Sequence, residues 1–411
     1  MIRLGFMTDA ARVIGASTEE GDERRRARVP AALPSVMQAI HVAPYAVVGA
    51  SSAGPWREHK DTHVFVLSHD RGLGLAPGHM ELVNDYRALV DRFEHSDDEL
   101  LVAGGHAVFQ LFLPYAQRLD VAVTDALVPG DVTFADWDGR FRLEGEETWD
   151  GGKTLRYRRR GVRMDNAVSL YLDGIRDGRA REAITRYSGA RYTQHSTGVR
   201  DGVAGFVHFF ESFIEQHPDR DVRVVRAIED GRHVFLQVSQ ELDGGAARWV
   251  TTDLFDTDDV GRIVEHWDVI SALEDPAQLD GPREAVDLVH TERNKALVRS
   301  FLVDVHQNGR LDRIAELVDE DVRQHEPGLD DGRDAYAKRI RAARRSGERY
   351  DFVFKVVGEG SLVVSYAKVD APSGDRAVFE IWRVQDGRIA ERWVNAERIG
   401  PREQWVNSGK F

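Results

Sequence analysis

The segment IVEHWDVISAL (Ile263–Leu273) places His266 and Asp268 two residues apart, between Val264 and Ile270. Side chains alternate along a β-strand, so Val264, His266, Asp268 and Ile270 share one face, while Glu265, Trp267 and Val269 share the other. An imidazole and a carboxylate on an otherwise apolar face are suited to moving a proton beside a carbonyl. Desolvation lifts the pKa of the carboxylate toward neutrality, and the imidazole orients it or polarises the carbonyl oxygen. Asp268 is therefore expected to be the acid/base and His266 its partner. Two plainer readings stand beside this one: Asp268 as the ion-pair partner of one of the many arginines, and His266 as a satisfied structural histidine.

The 411 residues exceed one ordinary domain. Apolar residues at 42% and charged residues at 30% suit globular cores, and no apolar run is long enough to span a bilayer. A formal net charge of −14 argues against nucleic-acid binding, which needs a basic face. The basic run ERRRAR (Glu23–Arg28) reads as a solvated loop. With no cysteine, disulfides, thiolate nucleophiles and Cys-ligated metals are all ruled out. The N-terminus lacks the layout of a secretion signal. A cytoplasmic protein acting on a small molecule, with no nucleic-acid or membrane partner, is expected.

Three segments carry these residues, with expected boundaries 1–160, 161–277 and 284–411. The first has apolar strands at Ile2–Met7, Tyr45–Ser51, His63–Ser68, Glu99–Gly105 and Leu119–Ala126. Helical patterns alternate with them at Pro34–His41, Met80–Glu94 and His106–Leu113, which predicts a mainly parallel sheet covered on both faces. FRLEGEETWDGGKTLRYRRR then reads as an antiparallel hairpin turning at Asp150-Gly151-Gly152.

The order and spacing of RVIG, VPAAL, VVG, VLS, VAGGHAVFQLFLPYAQRLDVAVTDA and PGDVTF resemble dihydrofolate reductase across nearly all of residues 1–160. The resemblance implies that α/β fold and a nicotinamide cofactor, NAD(P)H, held by Gly104, Gly105, Ser52 and Ser68. It also marks departures. The carboxylate that folate reduction needs in the first helix falls on Ala32, which can neither bind a pterin nor assist proton delivery. The substrate loop is replaced by the longer, charged ASTEEGDERRRARVPAAL. In GASSAGPW the phosphate-gripping arginine has become Ala50, and His106 and Ala107 replace a glycine and a basic residue. Ordinary folate reduction is not expected; the domain reads as a scaffold or as a reductase of another substrate.

The second and third segments repeat each other. Val168, Tyr171, Leu172 and Ile175 match Leu297, Phe301, Leu302 and Val305 at helical spacing. RYTQHSTGVRDG matches DVRQHEPGLDDG, and TTDLFDTDDVGRIVEHWDVI matches FEIWRVQDGRIAERWVNAERI. EDPAQLDGPRE (Glu274–Glu284) reads as the linker. Three helices followed by a curved antiparallel sheet form an α+β cone with an internal cavity. The layout, QH before the third helix and the DLFD…EHWD ending resemble the SnoaL-like branch of the NTF2-like superfamily, whose namesakes are polyketide cyclases. The chain is thus expected to be multidomain, an α/β reductase-like domain followed by two α+β cones. The resemblance implies cofactor-independent and metal-free chemistry, adds His195 and Asp253 as cavity-lining candidates, and ranks Asp268 first. His195 has a plainer reading too, as a residue that caps or bridges a loop. The cones are expected to pair with each other or in a homodimer.

In the second copy Ala390, Arg392, Val394 and Ala396 fall on the face held by Val264, His266, Asp268 and Ile270, so the acid is lost and the imidazole becomes a guanidinium. Chemistry is therefore expected in the middle segment: cyclisation, isomerisation or dehydration of a carbonyl-bearing small molecule. The alternatives are an NAD(P)H-dependent reductase of a non-folate substrate, or a non-catalytic binding or assembly protein. Glu380, Glu391 and Arg392 are an alternative polar pocket in the last segment.

Overall fold

A computed structural model describes residues 1–18, 28–70, 72–94, 96–134 and 137–411. Most of the basic run expected to be a loop, Glu23–Arg28, lies outside the described residues. The chain forms two compact units, Met1–Arg160 and Gly161–Phe411. Among the described residues, no helix is long and apolar enough to cross a membrane.

In the first unit, strands β1 (Ile2–Asp9), β3 (Tyr45–Gly49), β4 (His63–Leu67), β5 (Met80–Val83), β6 (Leu100–Val102) and β7 (Arg118–Thr124) run parallel in the order β5-β4-β3-β6-β1-β7. The hairpin β9 (Phe141–Trp149) and β10 (Gly152–Arg159) extends this sheet antiparallel, and β2 (Val13–Gly15) pairs with β8 (Val132–Thr133) apart from it. Val47, Val48, Phe65, Val66, Leu101 and Val102 are buried on both faces of the sheet, as continuous apolar strands require. Helices α1 (Leu33–Ile40), α2 (Tyr86–Phe93) and α3 (His106–Phe112) connect the strands. The helix expected over Met80–Glu94 is instead a strand followed by a helix. Asp85, extended and accepting the Arg87 N–H at 2.9 Å, starts a new helix there, leaving Met80–Val83 to pair with β4.

The second unit contains two cones of like build. The first has α4 (Val162–Ser169), which continues as a π-helical turn to Arg176, then α5 (Ala180–Tyr187) and α6 (Gly202–Gln216). Its sheet is β11 (Ser188–Gln194), β12 (Arg220–Asp230), β13 (His233–Leu242), β14 (Ala247–Thr257) and β15 (Ile263–Ala272), in the order β11-β15-β14-β13-β12. The second has α7 (Thr291–Phe301) with its own π-helical turn, α8 (Ile314–Leu317) and α9 (Arg333–Arg345). Its sheet repeats that order with β16 (Val318–Gln324), β17 (Arg349–Glu359), β18 (Leu362–Asp370), β19 (Arg376–Gln385) and β20 (Arg388–Arg398).

Each sheet covers its own helices with one face and the other sheet with its opposite face. Ile228, Phe235, Leu254, Trp267 and Val269 of one sheet form a single core with Val364, Tyr366, Phe379, Ile381 and Trp393 of the other. Glu274–Glu284 is folded into this junction. The Arg226 guanidinium lies over Trp393, and its nitrogens bond to the carbonyls of Leu279, Asp280 and Pro282. Asn395 fastens the sheets from within, its amide reaching Val250 O, Thr252 Oγ1 and Val269 O at 2.9–3.1 Å. Replacing that amide strands buried acceptors at a cost of about 1–3 kcal/mol each. Asn395→Leu should therefore lower unfolding free energy by at least about 2 kcal/mol in chemical denaturation. An unchanged midpoint would show that these bonds do not hold the sheets together.

Candidate active site

β14 and β15 pair antiparallel with Asp253 opposite Asp268 and Phe255 opposite His266. All four face the helices, since Trp267 and Val269 belong to the core between the sheets. Asp253, His266 and Asp268 are each buried.

His266 has both ring nitrogens engaged. Gln194, the last residue of β11, accepts the Ser196 N–H on Oε1 at 3.0 Å, which marks that atom as the amide oxygen. His266 Nδ1 lies 2.9 Å from the same oxygen, so Nδ1 carries a hydrogen and donates it. His266 Nε2 lies 2.8 Å from Asp253 Oδ1. That bond needs one proton, which either the imidazole or the carboxyl can hold. Burial raises the Asp253 pKa above the ordinary aspartate range, against the opposing bond from His266, and the negative charge of Asp268 adds to the rise. The Tyr171 hydroxyl stands beside Asp253 and 3.4 Å from Thr251 Oγ1, and burial raises its own pKa as well.

Asp268 differs from expectation. Burial acts to raise its pKa, but the Lys410 ammonium, assisted by His266, outweighs burial and holds it below the ordinary value. Lys410 Nζ lies 2.9 Å from Asp268 Oδ1 and 3.1 Å from its carbonyl, and Glu397 is its other carboxylate partner at 2.8 Å. Asp268 is thus an ion-pair partner, of a lysine in the C-terminal tail and not of an arginine. The carboxylate with the raised pKa is Asp253. Asp253, His266 and Asp268 each bring one donor atom within 4.8 Å of the others, a spacing that admits a cation, and the Lys410 ammonium supplies positive charge at its edge.

His195 does not join this group. Its ring stacks on Trp267 on the opposite face, with centroids 5.0 Å apart. Nδ1 bonds to Gly409 O at 2.6 Å and Nε2 to Glu265 at 2.9 Å, so His195 holds the tail down. In the second cone His325 repeats the arrangement on Trp393, with Ala277 O and Glu391 as partners. Glu391 therefore lies away from Glu380 and Arg392, which bond to each other inside the second cone at 2.8 Å.

Aromatic rings gather on the helix side of the middle cone among its aliphatic core. Phe206, Phe210 and Phe213 share one face of α6. The Tyr192 ring lies 5.9 Å from Phe206, and Trp249 lies 6.2 Å from Phe213. Phe255 stacks on the His266 ring at 4.6 Å. Exposed Phe209 and Ile270 carry apolar surface out to the solvent.

In the first unit, Gly49 N–H donates to Gly104 O at 2.8 Å, and Gly104 has φ +122°, a conformation that favours glycine. A Cβ on Gly105 would come within 3.3 Å of Ser52 Oγ, so Ser52 faces the glycine pair. Ser68 follows β4 at the same edge of the parallel strands, its hydroxyl accepting the Asp70 N–H. This edge fits close backbone approach by a nicotinamide cofactor. It does not fit a charge-paired phosphate grip, because Ala50 and Ala107 carry no cation and the first turn of α3 holds neither lysine nor arginine.

Sequence reasoning missed Gln194, Tyr171 and Lys410. Gln194 carries a signal in the QH that occurs in both copies. Tyr171 matches a core position by its helical spacing, and Lys410 has no local pattern around it.

The Asp268–Lys410 pair fixes a pH dependence. Because the folded pKa of Asp268 is depressed, the pair stabilises fully above the unfolded value near pH 4, and that stability is lost as pH falls through the folded value. Lys410→Met leaves a buried carboxylate without its cation and should cost on the order of 3 kcal/mol near pH 7. The deficit should narrow toward pH 4 as Asp268 of the variant takes up a proton. Equal wild-type and variant stabilities near pH 7 in chemical denaturation would contradict this.

Comparison with known proteins adds three findings. A SnoaL-like domain family model matches residues 168–266 and again 298–392, and a dihydrofolate reductase model matches residues 52–160. A similar solved structure is a dihydrofolate reductase from Enterococcus faecalis complexed with NADP(H) and RAB-propyl, 16% identical, covering 39% of this chain and 97% of that one, with a TM-score of 0.33. No curated protein matches. The chain joins a dihydrofolate-reductase-like domain to two SnoaL-like domains.

Proposed function

We propose that the middle domain performs cofactor-independent acid/base chemistry on a carbonyl-bearing small molecule with an aromatic or otherwise apolar body. The observation that supports this reading is the 2.8 Å contact between His266 Nε2 and Asp253 Oδ1, a bond that needs one shared proton. Gln194 pins the outer nitrogen of the imidazole as a donor, so any proton exchanged by His266 passes through Nε2, on the Asp253 side.

In the proposed role, Asp253 in its charged form removes a proton beside the substrate carbonyl, and the raised pKa of the buried acid brings its basicity closer to the task. His266 stabilises the protonated and charged forms in turn. Tyr171 is the neutral donor available to an oxygen that gains negative charge. Asp268, held ionised by Lys410, keeps a fixed charge beside the pair and acts as a positioning residue. The aromatic faces of Phe206, Phe210, Phe213 and Trp249 give an apolar substrate its binding surface and keep water scarce. Cyclisation by intramolecular aldol closure, isomerisation and dehydration all begin with this proton removal. SnoaL-like similarity favours the first.

The first domain offers a second reading, a nicotinamide-dependent reductase, on the strength of the Gly104-Gly105 turn. The neutral Ala50 and Ala107 weigh against it.

The acid/base reading is tested by following exchange of α-hydrogens into deuterated water by proton NMR, across aryl ketones and β-dicarbonyl compounds. The wild-type chain should accelerate exchange for at least one apolar member. Asp253→Asn and His266→Gln should each lower that rate by roughly 10²–10⁴-fold. Variants that exchange as fast as wild type would overturn the assignment.

A further inference from the structure

The second cone holds a cavity of about 250 Å³ whose walls come from both cones. Glu274 and Gln278 approach it from the segment after β15, while Arg339, Tyr350, Arg376 and Arg392 belong to the second cone. Its apolar wall is Val369, Val378, Val394 and Ala396, with Pro327 at the edge. A narrower chamber of about 30 Å³, bordered by His306 and Tyr336, lies against Arg339, Tyr350 and Arg392 and is sized for a single water.

Its polar groups are unevenly satisfied. Glu326 accepts from Arg339 at 3.1 Å with one oxygen and from Arg392 at 2.7 Å with the other. Glu348 faces Arg339 at 3.7 Å with one oxygen and pairs with Arg376 through the other. Glu380 accepts from Arg392 and from the Tyr350 hydroxyl, each at 2.8 Å. Every oxygen of these three carboxylates is thus engaged. The donors are in surplus: each guanidinium carries five N–H groups, and Arg376 Nε is buried with no acceptor among the described residues. Gln324 Nε2, behind Arg392, is likewise a buried donor without an acceptor. Burial raises the pKa of Glu380, against the opposing charge of Arg392. Glu274 is an exposed carboxylate at the mouth, where solvent screens it.

We infer that the second cone is a binding site for a small carboxylate with a compact apolar body, its carboxylate on the spare N–H groups of Arg376 and Arg339 and its body against Val369, Val378, Val394 and Ala396. A guanidinium fork matches a carboxylate in shape and charge, which a neutral carbonyl does not exploit fully. A cavity of this volume lies at the small end of ligand pockets, so one ring or a short branched chain fills it. The site stands apart from the Asp253–His266 pair and does not depend on chemistry there.

Calorimetric titration of the full chain with benzoate, and with benzamide as its neutral counterpart, tests the inference. Benzoate should bind saturably, and benzamide at least about tenfold more weakly, the value of one charge-assisted hydrogen bond. Arg376→Met, at a partly exposed position, should weaken benzoate by at least about tenfold. Ala396→Trp should abolish binding by filling the apolar wall, and thermal unfolding of each variant checks that the fold persists. His266→Gln should leave benzoate affinity unchanged. The inference is overturned by no saturable benzoate binding to the wild-type chain, by equal affinity for benzamide, by Arg376→Met binding as wild type does, or by binding lost in His266→Gln and kept in Ala396→Trp, which would place the ligand in the middle cone.

Discussion

Trp267 and Trp393 lie on the faces by which the two sheets press together, and a histidine covers each indole. Each histidine is in turn held by a carbonyl from a segment that leaves the other cone: Ala277 O, after β15, reaches His325, and Gly409 O, after β20, reaches His195. This reciprocal crossing makes each interior depend on its neighbour. The residue after each carbonyl differs in kind. Gln278 turns its side chain back to cap its own segment, accepting from Glu274 and Asp275 N–H groups, whereas Lys410 extends into the middle cone and pairs with Asp268. One exchange of chain thus leaves a lined cavity in the second cone and a charged latch in the first.

The two interiors have diverged from the same frame. Where the middle cone has His266, Asp268 and Asp253, the second has Arg392, Val394 and Glu380. An imidazole that shares one proton with a buried acid can exchange it, while a guanidinium clamped by Glu326 and Glu380 stays charged and organises hydrogen bonds. The physical difference is between a group with a labile proton and a group with fixed charge. In the roles proposed here, it divides the two cones between proton transfer and recognition.

The face shared by His266 and Asp268 was legible in IVEHWDVISAL, because alternation along a strand is local geometry. The repeat was legible from QH and from the matched strand endings, and the reductase-like fold from the order and spacing of its motifs from RVIG to PGDVTF. Partnerships across the sheet were not. Asp253 faces Asp268 through a register set by the whole sheet, and nothing between Asp268 and Lys410, 142 residues apart, announces their contact. Hence the strand pattern points to Asp268 as the acid with the raised pKa, whereas burial raises that of Asp253 and Lys410 holds that of Asp268 down. His195 was expected in the cavity and lies behind the sheet, since the residue after a strand can turn either way and the Trp267 ring decided it. The apolar run over Met80–Glu94 fitted a helix until Asp85 provided a start that splits it.

His266 is held by Gln194 as an Nδ1 donor and shares one proton with Asp253 through Nε2. Neutron diffraction from deuterated crystals reads those positions directly. A deuteron should stand on Nδ1 pointing at Gln194, with a single deuteron between Nε2 and Asp253 Oδ1. A bare Nδ1, or an Asp253 carboxylate turned away from the ring, would contradict it.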